Sequence, residues 1–444
     1  MDTALYRDIA AVVERISFID THEHLFEESF RINRDQTAQP TMLPSDDFSL
    51  LFFNYANADL ISAGMSRTDV ARFWQTGVDL EEKWRLIAPY YPFIRLTGYG
   101  HAIRESLNIL FEVDDLNEQT YFQVSDGIRN GLQPGFYRHI LKDVAHVEYA
   151  HVNAVEPDGS LPIFRKTEQP DLLKQDLSTV SLSTGLDIAK IEAWFGNPVL
   201  TLTDMHDAID AVFAAYGPIA IATKNQCAYH RRLLFDLVSD EEAAPLFERF
   251  RQQSNPLNPV EQKALEDHLF HYCIKKASDY GLVVKLHSGY FAGTGGMPLD
   301  HVRKNASDIC LLLRQYPATR FDIFHINYPY QDEAIALAKH YPNAFVDMCW
   351  AWIVNPQASV RFLKEFLRAA PINKLFTFGG DYRMIELLPG HARIARDGIT
   401  LALTELVEEG AIAIEDVPFV AARIMRDNAK ETFEHRENLA RQIQ

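Results

Sequence analysis

Short apolar runs that end in a polar or ionisable residue recur along the chain, and in its second half each is followed by a segment with helical periodicity. The runs of the second half lie at residues 218–224, 282–287, 320–325, 344–348 and 374–381. Earlier runs lie at residues 17–23, 145–149 and, more weakly, 161–164. Apolar strands that alternate with helices are typical of a parallel sheet buried on both faces. The pattern therefore predicts an α/β fold with eight parallel strands.

Most of the first half has a helical pattern. Apolar residues at helical spacing predict a helix over residues 2–16, whereas residues 25–58 are mixed and rich in turn-forming types. Residues 59–143 are predicted to be helical and include a dense aromatic run at 90–93. Because this block separates the first strand from the second, we interpret it as an inserted helical cap. The expected parts are 1–58 (first helix, strand and loop), 59–143 (cap) and 144–444 (remainder of the barrel and C-terminal helices).

Composition excludes several classes of function. The formal net charge of −18 argues against sequence-independent nucleic-acid binding, which needs a basic face. The four cysteines lie far apart without a C-x-x-C pair, which argues against a disulfide framework and fits a reducing compartment. No apolar run is long enough for a membrane span, and the first residues lack the apolar core of a signal peptide. We therefore expect a soluble, cytoplasmic protein that binds a small molecule rather than nucleic acid or a membrane.

Ionisable residues stand at the C-terminal ends of the predicted strands, where barrel enzymes carry their chemistry. They are His22, His24, Lys224, His287, His325 and Asp381. His22 and His24 are two positions apart, so an extended chain points both imidazoles to the same side. Imidazole and carboxylate ligands suit a divalent ion such as zinc, with three or four protein ligands and one position open for water. The sequence predicts a metal site made by His22, His24, His287 and Asp381, with zinc as the first choice of ion.

These residues also have other interpretations. His287 can simply cap a strand and Asp381 can cap the following helix, although four candidate ligands together favour a site. Asp381 can also accept a proton from a metal-bound water, and His325 fits a catalytic acid or base better than a further ligand. Protonated Lys224 has no lone pair for a metal. It either reaches solvent, binds a substrate carboxylate or, once carboxylated, bridges two metal ions.

The order of these residues resembles the amidohydrolase superfamily of metal-dependent barrel hydrolases, and especially its amidohydrolase 2-like branch. The resemblance lies in Thr223-Lys224-Asn225, Leu286-His287-Ser288-Gly289-Tyr290, His325-Ile326-Asn327-Tyr328-Pro329-Tyr330 and Phe378-Gly379-Gly380-Asp381. With a similar helical segment from Thr97 to Asp115, it covers nearly the whole chain. It implies a distorted (β/α)8 TIM barrel whose metal is held by His22, His24 and Asp381, and commonly also by His287.

The resemblance also points to residues that contact the substrate. We expect these to be Tyr229, Arg231, Tyr290 and Arg383. The chain departs from the branch at one of these places. Where the branch usually has an arginine directly after the tyrosine, this chain has His230, and Arg231 comes one position later. A contact between Arg231 and an anionic substrate therefore depends on how the chain turns at this point.

Three functions are consistent with these residues. The first is a hydrolase in which metal-activated water attacks an amide, ester or lactone carbonyl, with Asp381, His325 and Lys224 as catalytic residues. The second is a uronate-isomerase-like or decarboxylase-like enzyme acting on a sugar acid or an aromatic acid. The third is a non-catalytic regulatory barrel. We favour the hydrolase with one metal ion, the alternative being two ions bridged by a carboxylated Lys224, and we expect a homo-oligomer.

Overall fold

The computed structural model describes residues 2–34, 43–252 and 256–435. The strands in these ranges are β1 (Phe18–Glu23), β2 (Val147–Val152), β3 (Leu173–Gln175), β4 (Leu177–Ser178), β5 (Ala222–Asn225), β6 (Val283–Leu286), β7 (Phe321–Ile323), β8 (Ala344–Asp347) and β9 (Leu375–Phe376). Every pair of neighbouring strands is parallel. Strands β1 to β3 form one hydrogen-bonded group, and β4 to β9 form a second group in consecutive order.

The two groups of strands join into one closed barrel. Strands β3 and β4 are separated only by Asp176, so they share one strand position that pairs with β2 on one side and with β5 on the other. At the second seam, the Thr21 N–H donates to Phe378 O at 3.0 Å and the Asp381 N–H donates to His22 O at 2.8 Å. These bonds tie β1 to the segment that follows β9. The predicted (β/α)8 barrel is confirmed, with eight strand positions among the described residues.

The strand predicted at residues 161–164 is wrong. This segment is irregular, and the third strand position is formed later, by β3 and β4. Pro162 has no N–H to donate to a strand ladder. The side chain of Ile163 is buried, and its carbonyl accepts a hydrogen bond from Ser178 N–H at 2.9 Å. The apolar signal at this place therefore reports a buried loop that lies against the end of β4.

The helices surround the barrel and fill the long connection between β1 and β2. The first group comprises α1 (Thr3–Glu14), α2 (Glu28–Ile32), α3 (Ala56–Ser62), α4 (Arg67–Trp74), α5 (Leu80–Ile87), α6 (Tyr91–Ile94), α7 (Gly98–Phe111), α8 (Tyr121–Gly131) and α9 (Phe136–Arg138). The second comprises α10 (Ile188–Phe195), α11 (Leu202–Tyr216), α12 (Asp240–Gln252), α13 (Pro259–Asp279), α14 (Leu299–Gln315), α15 (Gln331–His340), α16 (Ala351–Val354) and α17 (Pro356–Ala369). After β9 come α18 (Leu388–Glu408), α19 (Val417–Ala422) and α20 (Asn428–Phe433). None of the helices described here has the length and apolar character that a membrane crossing requires.

The first helix is fixed at both ends and along one side. The side chain of Asp2 caps α1 by accepting backbone N–H bonds from its first turn. Ile9 and Val13 are buried against the core. At the other end, the guanidinium of Arg396 donates to Val13 O at 2.8 Å and to Ile16 O at 2.9 Å, on either side of the last residue of the helix. The predicted first helix is confirmed, and α18, which carries Arg396, is anchored to it.

The connection between β1 and β2 is largely helical, as predicted. Its helices pack into the same hydrophobic core as β1 and α18, through buried side chains that include Phe73, Trp84 and Leu107. The aromatic run at 90–93 is divided between core and surface, because Tyr91 is buried whereas Phe93 is 72% exposed. The helical block therefore shares its core with the barrel.

A buried lysine occupies the centre of the barrel. The Nζ of Lys285, on β6, donates to Asp176 at 2.9 Å and to Thr21 O at 2.8 Å, and it lies 3.1 Å from Nδ1 of His151. Lys285 and Asp176 are both fully buried. One ammonium thus links β6 to β1, to β2 and to the junction of β3 and β4. Because a buried charge is tolerated only when it is paired and hydrogen-bonded, these strand positions depend on one another through Lys285.

The Lys285→Met variant is expected to lower the free energy of unfolding by about 3–5 kcal/mol, because it leaves the Asp176 carboxylate buried without its cation. Chemical denaturation followed by circular dichroism measures the change. Lys304→Met is the matched control, since Lys304 and Asp300 form a solvent-exposed pair at 4.0 Å. The control should shift the free energy of unfolding by less than about 1 kcal/mol. Equal effects of the two substitutions would show that the buried pair does not stabilise the barrel.

Candidate metal centre

Strand β1 delivers two imidazoles to the carboxyl end of the barrel. His22 lies near the end of β1 and His24 directly follows the strand, so both side chains share one face of the extended chain. Their ring centroids are 4.7 Å apart. Nε2 of His22 and Nε2 of His24 lie 3.2 Å and 3.3 Å from the same atom, Oδ1 of Asp381. The structure thus brings together three of the four predicted metal ligands.

A hydrogen bond fixes which nitrogen of His24 carries the lone pair. Nδ1 of His24 lies 2.7 Å from the carbonyl oxygen of Asn153, and a carbonyl can only accept. Nδ1 therefore carries a hydrogen, and Nε2 is the ring nitrogen that faces Asp381. A lone pair and a carboxylate oxygen at this distance repel each other unless a cation or a proton lies between them. An outer carbonyl that orients an imidazole in this way is typical of metal-binding histidines.

Asp381 is held in a left-handed backbone conformation, with φ of 61°. Its N–H donates to His22 O at 2.8 Å, and its carbonyl accepts a hydrogen bond from the hydroxyl of Tyr55. The preceding Gly380 allows the segment after β9 to approach β1 closely, because a Cβ at this position would lie 1.9 Å from Oε1 of Glu23. Gly380 and the two hydrogen bonds together fix the backbone position of Asp381 and therefore the direction in which its side chain leaves the backbone.

Burial and neighbouring charges set the ionisation of these groups. Burial opposes ionisation of Asp381, but the interactions with His22 and His24 outweigh it and hold the pKa of this carboxyl well below its usual range. Burial, followed by the charge of Lys224, lowers the pKa of His22 well below its usual value. The carboxylate is therefore negative and the His22 imidazole neutral. These are the protonation states in which such groups bind a divalent metal.

The donor set fits a divalent metal ion. Ligand atoms of His22, His24 and Asp381 lie within 4.8 Å of one another. Two imidazoles and one carboxylate match the ligands of catalytic zinc sites, which keep a position open for water or substrate. These three residues would hold the ion.

Two further histidines stand beside the Asp381 carboxylate. Nε2 of His325 lies 3.8 Å from Oδ2 of Asp381 and 3.1 Å from Nδ1 of His287. Nε2 of His287 faces the carbonyl oxygen of Tyr290 at 3.0 Å and therefore carries a proton. Burial and the charge of Lys224 lower the pKa of His287 to about 3, so this imidazole is neutral. His287 contacts His325 directly, and its role as a metal ligand stays a prediction.

Lys224 lies at the carboxyl end of the barrel and is 1% exposed. Its Nζ has no hydrogen-bond partner among the described residues, and it stands 3.3 Å from the centroid of the Phe324 ring. Burial lowers the pKa of Lys224 to about 8, although the charge of Asp381 acts in the opposite direction. Lys224 is therefore a buried amine whose charge no hydrogen bond compensates.

The site opens into a cleft of about 2090 Å³, which is also lined by Arg383. Across the described ranges of the chain, Arg383 forms no hydrogen bond or ion pair, and its guanidinium lies 5.9 Å from the centroid of the Phe53 ring. Arg72 lines the same cleft, but it pairs with Glu82 at 2.7 Å. Arg383 therefore offers its hydrogen-bond donors to the cleft, and Arg72 does not.

The other predicted substrate-binding residues occupy different places. Tyr229 lines the cleft, whereas Tyr290 is not among the lining residues and packs against Trp350. Arg231 is turned away from the cleft, because its guanidinium pairs with Glu266 at 2.7 Å and with Asp267. Two carboxylates already satisfy Arg231, so its guanidinium is not available to a molecule in the cleft.

Two residues of the site were missed in the sequence analysis. Tyr55 comes from the segment before the predicted cap, and its hydroxyl reaches the carbonyl of Asp381. Asn153 follows β2 and orients His24 through its backbone carbonyl. In each contact the acceptor is a backbone carbonyl, which no sequence motif marks. The only available signal was the position of Asn153 at the carboxyl end of a predicted strand.

Comparisons with known sequences give one family and one curated relative. Residues 245–434, which make up less than half of the chain, match the Amidohydrolase family. Protein fluG of Emericella nidulans is 26% identical over 234 residues, which cover 50% of this chain and 27% of that protein. The chain thus spans about a quarter of the length of this relative.

Solved structures resemble the chain over nearly its whole length. Glucuronate isomerase from Caulobacter crescentus aligns with a TM-score of 0.75 and 16% identity, covering 97% of this chain and 94% of that one. Uronate isomerase from Thermotoga maritima aligns with a TM-score of 0.74 and 15% identity, covering 98% of both chains. At such low identity the likeness shows the fold alone. The family match of residues 245–434 and the barrel fold of the whole chain confirm the predicted resemblance to the amidohydrolase superfamily.

Proposed function

We propose that this protein is a metal-dependent hydrolase that acts on an amide, ester or lactone bond of a small acidic molecule. The observation that carries the proposal is the convergence of Nε2 of His22 and Nε2 of His24 on one oxygen of Asp381, at the base of an open cleft. Two imidazoles and a carboxylate with an open approach make up a hydrolytic metal site. We propose zinc as the ion.

The metal ion, Asp381 and His325 would have different roles in the hydrolysis. When bound, the metal would polarise the scissile carbonyl and lower the pKa of water at the site. Oδ1 of Asp381 is the oxygen near the imidazoles of His22 and His24, and the other carboxylate oxygen, Oδ2, can accept a proton. His325 lies 3.8 Å from that oxygen, and burial lowers its pKa well below the usual value. Nδ1 of His287 carries a lone pair, so the hydrogen between the two imidazoles lies on Nε2 of His325. The neutral His325 would keep that hydrogen, and Asp381 itself would pass the accepted proton to the leaving group.

Two cations support an acidic substrate. Lys224 and Arg383 line the cleft that contains Asp381, and neither is paired with a carboxylate within the described residues. A substrate carboxylate would compensate at least one of these charges. We propose that Lys224 is a free amine that binds substrate rather than a carboxylated bridge between metals. Its Nζ above the Phe324 ring supports this assignment, because a cation is attracted to an aromatic face and a carbamate is not.

We propose that the helical block covers the mouth of the barrel. Thr68, Trp74 and Val78 of the block line the same cleft as His22 and His24. A cover over the carboxyl ends of the strands would limit the access of bulk water to the reacting bond. Tyr55, just before the block, binds the carbonyl of Asp381 and thereby couples the position of the cover to that of the carboxylate.

A uronate-isomerase-like reaction is the second candidate. The likeness to two uronate isomerases extends along nearly the whole chain, including the helical block. The two unpaired cations suit the carboxylate of a sugar acid as well as that of an acylated amino acid. In this case the metal site would orient a hydroxyl and a carboxylate, and no water would be consumed.

A substrate screen in isotopically labelled water separates the two candidates. The metal-loaded protein would be tested against N-acyl amino acids, lactones and uronates, with the product analysed by mass spectrometry. A hydrolase incorporates the heavy oxygen of the water into its product, because a water molecule is split across the bond. An isomerase gives a product of unchanged mass whose hydroxyl and carbonyl positions have moved. Turnover of no compound in the screen would favour the regulatory barrel.

The double variant His22→Ala/His24→Ala is expected to lose about one equivalent of divalent metal, because it removes two of three ligands from one site. Elemental analysis after desalting measures the metal content, and circular dichroism checks the fold. His101→Ala/His139→Ala is the matched control, since both of these histidines are exposed side chains outside the cleft. An active wild-type protein without metal would refute the proposal.

Lys224→Met and Arg383→Met are each expected to raise KM for an acidic substrate about tenfold or more, because each removes a charged hydrogen-bond donor from the cleft. Steady-state kinetics with an acidic substrate and its neutral amide analogue measure the effect, which should be confined to the acidic compound. Arg72→Met is the control, because Arg72 lines the cleft but is paired with Glu82. Loss of bound metal from Lys224→Met would instead indicate the carboxylated bridge.

A further inference from the structure

An aromatic wall of the cleft leads from the candidate metal centre to the helical block. At one end, the hydroxyl of Tyr55 donates to the carbonyl of Asp381. Two residues earlier in the chain comes Phe53, and its ring centroid lies 5.2 Å from that of Trp74 on α4. Phe53, Tyr55 and Trp74 all line the cleft. A molecule bound at the metal centre can therefore extend along this wall as far as α4.

The rings of Phe53 and Trp74 form a corner in the wall. Their planes meet at 76°, so the two rings are nearly perpendicular. A third ring placed in such a corner can stack on one ring and meet the edge of the other, and these are the two arrangements that aromatic pairs prefer. Val78 adds a buried apolar side chain to the same cleft. The corner therefore suits a flat, apolar group.

The backbone between Phe53 and Tyr55 explains how neighbouring side chains reach two different partners. Asn54 lines the cleft and has a φ of 78°, in the left-handed region that asparagine tolerates better than most residues. With the chain turned at this residue, the ring of Phe53 contacts Trp74 while the hydroxyl of Tyr55 reaches Asp381. The turn thus ties the corner to the metal centre over three residues.

Two polar atoms of the cleft-lining residues have no partner. Nε1 of Trp74 and Oδ1 of Asn57 are buried and form no hydrogen bond within the described residues. Asn57 is on α3, and it lines the same cleft as Trp74. A donor and an acceptor are costly to bury unpaired, and such groups are rare in folded proteins. A bound molecule with a polar substituent would supply the missing partners.

We propose that this corner is a binding subsite for an aromatic ring with a polar substituent, made by Phe53, Trp74 and Asn57. The ring would belong to the acidic molecule whose carboxylate binds Arg383. The guanidinium of Arg383 lies 5.9 Å from the centroid of the Phe53 ring, so that carboxylate would come next to the corner. The inference rests on the proposed function in that the ring and the carboxylate belong to one ligand. The three subsite residues select the ligand and take no part in bond cleavage.

Binding of unreactive dicarboxylates tests the subsite. Benzylsuccinate and methylsuccinate carry the same two carboxylates and differ by one phenyl ring, and neither has a bond that a hydrolase would cleave. Titration calorimetry with the metal-loaded protein measures their dissociation constants. We expect benzylsuccinate to bind about tenfold more tightly or better, because its ring packs between Phe53 and Trp74. The 4-hydroxybenzyl analogue should bind more tightly still, since its hydroxyl can pair with the unsatisfied polar atoms.

Two substitutions of Trp74 separate the ring from its N–H group. Trp74→Leu should abolish the preference for the phenyl ring. Trp74→Phe should keep that preference but lose the gain from the hydroxyl, because phenylalanine has a ring and no hydrogen-bond donor. Trp194→Leu is the matched control, since Trp194 is a half-buried tryptophan on α10 that lies outside the cleft and donates to the Tyr216 hydroxyl at 2.6 Å. The control should keep both preferences.

The wild-type protein decides the question even when a variant does not fold. Equal affinities for benzylsuccinate and methylsuccinate, or no binding of benzylsuccinate, overturn the subsite. Equal affinities for the plain and the hydroxylated ring overturn the role of the polar atoms of Trp74 and Asn57. Because no bond is cleaved in these titrations, their outcome is independent of the substrate screen. A preference for the ring without turnover of any screened compound would support the subsite and count against the hydrolase.

Discussion

The backbone seam between the first and last strand positions is the constraint on which the candidate metal centre depends. The bond from Asp381 N–H to His22 O, at 2.8 Å, places a carboxylate from the last strand position beside an imidazole from the first. The bond from His24 N–H to Tyr382 O, at 2.9 Å, continues the seam past the end of β1. The ligands are thus assembled by closure of the barrel, and a barrel that opened at this seam would lose the site before it lost most of its secondary structure.

The barrel interior below the site contains buried charged and polar side chains. Their desolvation costs free energy, which hydrogen bonds and ion pairs between them offset. Lys285 compensates Asp176 and also donates to Thr21 O, one residue before His22. The hydroxyl of Thr21 in turn donates to Asp347. Burial raises the pKa of Asp347 to about 7, so this carboxyl is only partly ionised at neutral pH. The barrel therefore buries fewer net charges than its residue types suggest, and the base of the site is tied to the central lysine.

The sequence contained enough information for the barrel and for the three clustered candidate ligands, because both follow from regular spacing. Alternation along an extended chain predicts that His22 and His24 share a face, and apolar runs with polar ends predict where parallel strands stop. The third strand position was missed because β3 and β4 are short and partly polar, and Asp176 between them points into a hydrophilic interior. Their partners are other buried polar groups, such as Lys285, that only the folded chain brings near.

Other contacts could not be predicted from the sequence, for the same reason. The hydroxyl of Tyr55 and the carbonyl of Asn153 act on Asp381 and His24 through bonds that no periodicity encodes. Arg231 shows the opposite error, since its place near Tyr229 in the sequence suggested the cleft. The turn after Tyr229 directs it to Glu266 instead. Long-range pairing therefore decides which polar residues serve the site and which support the fold.

The charge of the whole protein and the charge of the cleft have opposite signs, and the local charge decides which ligand binds. With a formal net charge of −18, the surface repels an anion at long range, but salt screens this repulsion beyond about 8 Å at physiological ionic strength. Inside the cleft, Lys224 and Arg383 lack carboxylate partners within the described residues, although acids outnumber bases in the chain. Burial lowers the pKa of Lys224 to about 8, a sign that its charge is poorly compensated in the ligand-free state. An anion bound beside it would restore that compensation, so the cleft should favour an acidic molecule even though the surface is itself acidic.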